Sequence, residues 1–226
     1  MSVLALLDRP TYLYAEVDRL VGLHPGTARR WINGYERDGR YYEPILRTSA
    51  QGTEWVTWGE FVEARMLAEF RDQSIRTAKL RAAVDKLRER FNIGYPLAHL
   101  QPYLAATDGE LAIKDEKGDA LSVIRTGQLI LQASRPVIDT ATLASDDSGR
   151  KFASEILLDR EFPGIKVNPD RLSGQPTFEG RRIAVMTIAS MVAAGEPRDE
   201  LAADYSLSLV QVDEAVRYAD KHKLVA

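Results

Sequence analysis

The chain has 226 residues, 45% apolar and 28% charged, with a formal charge of −3. This composition fits a globular chain of roughly one or two domains and excludes collagen-like or low-complexity tracts. With no cysteine, disulfide scaffolds, Cys-ligated zinc, iron–sulfur clusters and thiol nucleophiles are excluded. His24, His99 and His222 lie far apart, so no histidine metal motif exists, and neither metal nor cofactor is expected. No segment approaches the roughly 18 apolar residues of a membrane span. The best stretch, 183–194, is short and contains Thr187 and Ser190. The first seven residues lack a basic region and run straight into Asp8, Arg9 and Pro10. That is unlike a signal peptide, and the reading is a cytoplasmic protein. A pI near 5.7 argues against wholesale polyanion binding, but a local basic patch stays open. Residues 1–92 hold 15 Lys and Arg against 13 Asp and Glu; residues 93–226 hold 15 against 20.

Taken in chain order, the pattern predicts an α+β chain, mainly α, in three regions: 1–94, 95–165 and 166–226. In the first, Leu13, Val17, Leu20 and Val21 make one apolar face of a short helix that stops at Gly22. A second helix opens with Pro25 at its first position. Ala28, Trp31 and Ile32 face inward, and Asn33 and Gly34 end it. Residues 45–47 and 54–56 read as two short strands around the turn Ser49–Gly52. Thr57 with Glu60 forms a capping-box pattern. Val62, Met66 and Phe70 follow at spacing four. Ser74 can cap a further helix, with Leu80, Val84, Leu87 and Phe91 on its buried side and Gly94 at its end. Trp31, Trp55 and Trp58 all read as core.

The middle region leans to β structure. Residues 111–113 and 121–124 flank Asp115–Asp119, a hairpin signal. Residues 129–131 and 155–158 suggest further strands, and Ser145–Gly149 reads as a loop. In the third region Thr187 is placed to cap a helix ending at Gly195, and Pro197 opens another. Ser208 with Gln211 repeats the capping-box pattern ahead of Leu209, Val212, Val216 and Ala219.

Two stretches carry functional signals. The first is Tyr14–Ile32, with Gly22 for a tight turn, Leu23 between the helices, and Thr27, Arg29, Arg30 and Asn33 on the outer face of the second helix. Such side chains reach phosphates and base edges in a major groove, where the arginine fork matches guanine O6 and N7. A helix hairpin with a solvated basic face is the alternative. Residues 12–92 resemble a MerR-type winged helix–turn–helix. The resemblance implies DNA contacts from a wing that by position involves Arg40, Arg47 and the Ser49–Gln51 turn. Two departures stand out. Asp18 occupies a helix crossing that usually takes a small residue, where it is placed to pair with Arg29 or Arg30. His24 stands where a Ser or Thr usually caps the second helix.

The second stretch is Val167–Ile183, leading through Ala194–Gly195–Glu196 to Leu201–Tyr218. Gly174–Pro176, then Gly180, Arg182, Ile183 and Val185, then Ala194–Glu196 resemble a small bacterial domain of unknown function that recurs in antitoxins. Together the parts resemble VapB-type antitoxins of actinobacterial VapBC modules, in particular the longer VapB45-like class. The resemblance implies a PIN-domain ribonuclease toxin as partner, operator DNA, and a homodimer, since one recognition helix covers one half-site. PIN nucleases hold divalent metal with clustered carboxylates, which a guanidinium can engage. Arg171, Arg181 and Arg182 are the toxin-binding candidates, with Arg150 and Lys151 equally open. The last helix, carrying Asp213, Glu214 and Asp220 against Arg217 and Lys221, is a poor phosphate partner and suits protein contact. No P-loop, G-x-S-x-G, H-E-x-x-H or G-x-G-x-x-G occurs, so no enzyme is expected. The rival readings are a stand-alone MerR-like regulator and an enzyme with an unrecognised site in residues 95–165.

Overall fold

The computed structural model describes residues 4–72, 80–81, 84–85, 87–89, 92–99, 104–107, 110–114, 120–122, 141–145 and 149–224. Ser74, Phe91, the turn at 115–119, residues 123–124, the strand at 129–131 and Asp146–Asp147 lie outside them. The chain is α+β and helix-rich. It forms two compact units, Met1–Ser154 and Glu155–Ala226, whereas the sequence pattern suggested breaks after 94 and 165. Among the described residues, no helix is long and apolar enough to cross a membrane.

The first unit opens with α1 (Leu4–Leu7), β1 (Pro10–Leu13), α2 (Tyr14–Val21), α3 (Thr27–Asn33), β2 (Tyr35–Arg37), β3 (Arg40–Tyr42), β4 (Trp55–Thr57) and α4 (Trp58–Asp72). β1 and β4 are antiparallel, with Tyr12 opposite Val56 and Leu13 opposite Trp55. The capping box at the head of α4 forms: Thr57 N–H donates to Glu60 Oε2 at 2.9 Å, and Glu60 N–H to Thr57 Oγ1 at 3.3 Å. Val62 and Met66 are fully buried. So are Trp58 and Phe61, and the Tyr12 ring sits 4.3 Å from Phe61. Trp58 Nε1 donates to the Ala153 carbonyl at 2.8 Å. The Tyr95 ring lies against Gly59, where an added Cβ would fall 2.6 Å from it.

Three expectations are corrected here. Residues 45–47 form no strand, and β4 pairs with β1 instead. Ile45 and Leu46 bury themselves and both donate N–H to the Trp31 carbonyl, at 2.8 and 3.1 Å, which excludes a ladder. Trp55 is 52% exposed and Leu13 39%; they are cross-strand partners on the outer side of a two-stranded sheet. The second helix begins at Thr27, beyond Pro25, because Gly26 takes a positive φ and ends the turn there.

In the middle, β5 (Leu104–Thr107), β6 (Glu110–Lys114) and β7 (Ala120–Ser122) form an antiparallel sheet in that order. Ile113 opposite Leu121 bears out the expected hairpin. β8 (Thr142–Ser145) neighbours β9 (Lys151–Leu157), which runs on into the second unit.

There, β9 pairs with β10 (Ile165–Val167), and β10 with β11 (Thr177–Phe178). Then come α5 (Val185–Ala193), α6 (Arg198–Asp204) and α7 (Leu209–Lys221). Thr187 does not cap α5. The bridge between Thr177 and Ala184 and the Val185 N–H bond to Pro176 carry the chain from strand directly into helix. The Ser208–Gln211 capping box forms as expected. Phe162, Ile165, Phe178, Val185, Ile188, Val212, Ala215 and Tyr218 close one core.

Candidate functional site

The helix pair α2–α3 is built by local backbone chemistry. At the end of α2, Gly22 N–H donates to Arg19 O and Leu23 N–H to Asp18 O, a paired closure of free helix carbonyls. The head of α3 lacks a side-chain cap of its own. The buried Asp18 supplies one from the preceding helix, accepting from Gly26 N–H at 2.6 Å and Ala28 N–H at 2.7 Å. Asp18 therefore does not pair with Arg29 or Arg30. It occupies the crossing because it does the work that His24, exposed outside the turn, cannot do.

Of the expected DNA contacts, Arg29 and Arg30 are exposed on α3, and Arg30 Nη2 donates to Thr27 Oγ1 at 3.0 Å. Thr27 itself is 7% exposed and packs inward. Arg47 is the clear correction. Its side chain is buried, with Nε 2.6 Å from Glu60 Oε1 and Nη2 bonded to Glu60 Oε2 and the Trp55 carbonyl. Its Nη1 donates to Tyr14 Oη at 2.9 Å and Asn33 Oδ1 at 3.0 Å. It positions the ends of α2, α3, β4 and α4 rather than facing solvent. Asn33 is likewise occupied. Its Nδ2 donates to the Gln51 carbonyl at 3.1 Å, and its Oδ1 accepts the Gln51 N–H at 2.7 Å.

The hairpin beside α3 is β2–β3, which the sequence reading missed. Asp38 and Gly39 both take positive φ, 53° and 70°, the two-residue turn that matches strand twist. The Asp-Gly pair was the available signal. Tyr35 and Tyr42 stack at 4.7 Å, Arg40 lies 5.3 Å over the Tyr42 ring, and Arg37 and Arg40 are opposite and exposed. Gly34 is required where the chain leaves α3, since its φ is +74° and a Cβ would meet the Tyr42 carbonyl at 2.6 Å.

In the second unit, Arg171 Nη1 lies 2.5 Å from Glu155 Oε2 and neutralises that buried carboxylate. Arg181 and Arg182 follow Gly180, whose φ of +71° makes the turn after β11. Arg181 Nη2 donates to the Ser206 carbonyl at 3.1 Å, and Arg182 is exposed. The structure thus sets Arg182 and Arg171 in different roles. Lys151 is exposed at the start of β9 in the first unit. On α7, Leu209 and Val210 are 53% and 71% exposed, beside the Arg198–Asp213 ion pair.

Residues 165–219, from β10 to near the end of α7, match the model of a family described as a protein of unknown function, DUF433. The second unit therefore contains the DUF433 match, and the first unit, with its helix pair and hairpin, lies outside it. The chain belongs to the family of the uncharacterized protein Rv2308 of Mycobacterium tuberculosis. The two are 51% identical over 228 residues, covering 99% of this chain and 96% of that protein. A second protein of that organism, described as "Putative antitoxin VapB45", is 24% identical over 234 residues, covering 92% of this chain and 93% of its own. The crystal structure of Rv2018, also from M. tuberculosis, shares the fold. Its TM-score is 0.65 at 20% identity, over 93% of this chain and 99% of that one.

Proposed function

We propose that the chain is the antitoxin of a type II toxin–antitoxin module, binding a PIN-domain ribonuclease toxin and repressing its own operon through DNA. The observation that carries this reading is the end-to-end similarity to the protein described as a putative antitoxin, which spans both units. In this reading the chain is a binding protein, not an enzyme, and acts in the cytoplasm. The first unit supplies DNA contact as a winged helix–turn–helix, with Arg29 and Arg30 on the recognition helix and Arg37 and Arg40 on the hairpin. Two copies act together, because one recognition helix covers one half-site. The second unit faces the toxin, with Arg182 as the guanidinium free to approach a cluster of metal-holding carboxylates. Arg181 supports that turn through Ser206.

Changing Arg29 and Arg30 together to alanine tests the reading. Both side chains are exposed, so the variant folds. Its binding to the upstream operator weakens, and the salt slope becomes shallower by roughly one per phosphate contact removed. Neutralisation of the operon's toxin, read as RNase activity, stays at the wild-type level. Loss of both activities in the folded variant would overturn the division of labour. A wild-type chain that leaves the toxin active would overturn the antitoxin reading itself.

A further inference from the structure

We propose that Gln51 reads a base edge, the adenine of an A·T pair in the major groove, in place of Asn33. The inference rests on the DNA-binding reading above and adds a specificity residue to it. The sequence makes Asn33 the natural adenine reader at the end of α3, because an amide side chain matches N6–H and N7 together. The structure occupies both ends of that amide. Nδ2 donates to the Gln51 carbonyl, and Oδ1 accepts from both Gln51 N–H and Arg47 Nη1. Its oxygen is saturated, so Asn33 cannot accept from adenine N6–H and make the paired contact, although Nδ2 keeps one N–H.

The same bonds fix Gln51. Its N–H and C=O are both held on one side chain, a two-point clamp that sets its Cα at the end of α3. Tyr14 Oη pins the next turn of the loop by donating to the Thr53 carbonyl at 3.0 Å, and Arg47 in turn holds Tyr14. Gln51 is exposed, and its carboxamide makes no hydrogen bond among the described residues. Ala50 and Gly52 on either side are small and exposed. A clamped backbone carrying a free amide has lost most of the ordering cost of binding before a ligand arrives. Arg29 stands four residues before Asn33, on the same face of α3, the helix whose end holds the Gln51 backbone.

The test is selection of duplex DNA from a random pool by the full-length chain, wild type and Q51A, with sequencing of the bound fraction. The alanine variant keeps the clamp, which uses only backbone of residue 51. The wild type selects a motif with an adenine at one position of each half-site. Q51A keeps the remaining positions and loses roughly 5- to 150-fold discrimination at that one. N33A, which frees the loop, loses discrimination at the same position although Gln51 is intact. An unchanged motif in Q51A overturns the proposal and leaves the DNA-binding reading standing. Uniform weakening across all sequences makes Gln51 a phosphate contact and also overturns it. Absence of any selected motif from the wild type overturns the DNA-binding reading and this inference with it.

Discussion

Glu63 enters the interior of the first unit fully buried, with Oε1 accepting the Leu97 N–H at 2.8 Å and Oε2 unpartnered among the described residues. Burial pushes its carboxyl up to about 8. The Leu97 N–H and the Arg88 charge pull it back only in part. Between the ordinary value of 4.5 and about 8, the folded chain keeps a proton that the unfolded chain has lost. The contribution is therefore fully present below 4.5 and is lost as pH rises toward 8, by at most about 1.4 kcal/mol per pH unit. E63Q retains an acceptor for Leu97 and cannot ionise. Urea unfolding at pH 5, 6, 7 and 8 should give curves for wild type and E63Q that separate as pH rises, with the variant the more stable at pH 8. Parallel profiles would show that Glu63 does not titrate in this window. Nothing in Val62-Glu63-Ala64 marks this residue as buried, since a helix with one polar position per turn ordinarily turns it to water. The fold overrides that pattern by laying residues 95–98 across α4.

Between elements, the same kind of override places Asp18. One carboxylate on α2 accepts two backbone donors at the head of α3, so the angle between the helices is held by hydrogen bonds as well as by Val17, Leu20, Ala28 and Ile32 in the core. D18A leaves the buried Ala28 N–H without an acceptor, at a cost of about 1–3 kcal/mol. Its thermal midpoint should fall accordingly, whereas D18N, which keeps one acceptor oxygen, should recover part of the loss. A midpoint unchanged in D18A would mean that water replaces the carboxylate. What was legible in the sequence at this scale was local. The capping boxes at Thr57–Glu60 and Ser208–Gln211 span four residues each, and the β6–β7 pairing is announced by the charged stretch 115–119 in the sequence between its strands. Asp18 caps residues eight and ten positions away, and β1 finds β4 across more than forty, so neither leaves a periodic mark. The β2–β3 hairpin was legible through Asp38-Gly39. Its charged and aromatic strands hid it, because they lack the alternation of a half-buried sheet. The candidate site divides in the same way. Arg29 and Arg30 sit on the outer helix face that periodicity indicates. Arg47 was misplaced because its partner, Glu60, is fixed by a pairing that no local pattern reveals.

At the scale of the whole chain, β9 crosses the boundary between the two compact units, and its described residues divide between two sets of partners. Phe152 and Ala153 belong to the first unit. Phe152 is 1% exposed, the Ala153 N–H donates to Ala98 O, and the Ala153 carbonyl accepts from Trp58 Nε1. From Glu155 onward the partners lie in the second unit. Ile156 and Leu157 pair with β10, Glu155 holds Arg171, and Asp159 binds Lys221 and His222 near the other end of the domain. The second unit thus fastens its own first residues to its last helix, and the core formed by Phe162, Ile165, Phe178, Val212 and Tyr218 lies within it. A chain of residues 155–226 should fold alone, with a cooperative thermal transition and the helical circular dichroism of α5–α7. A chain ending at Ser154 should keep the stability of the first unit. One ending at Arg150 should lose about 1–3 kcal/mol for the orphaned indole N–H, and more for the missing Phe152 side chain. Equal stability of the two shorter chains would show that β9 is not an element of the first core. A fragment 155–226 without a cooperative transition would show that the second unit depends on its neighbour, and the proposed division of DNA and toxin contacts between the units would then lose its structural basis.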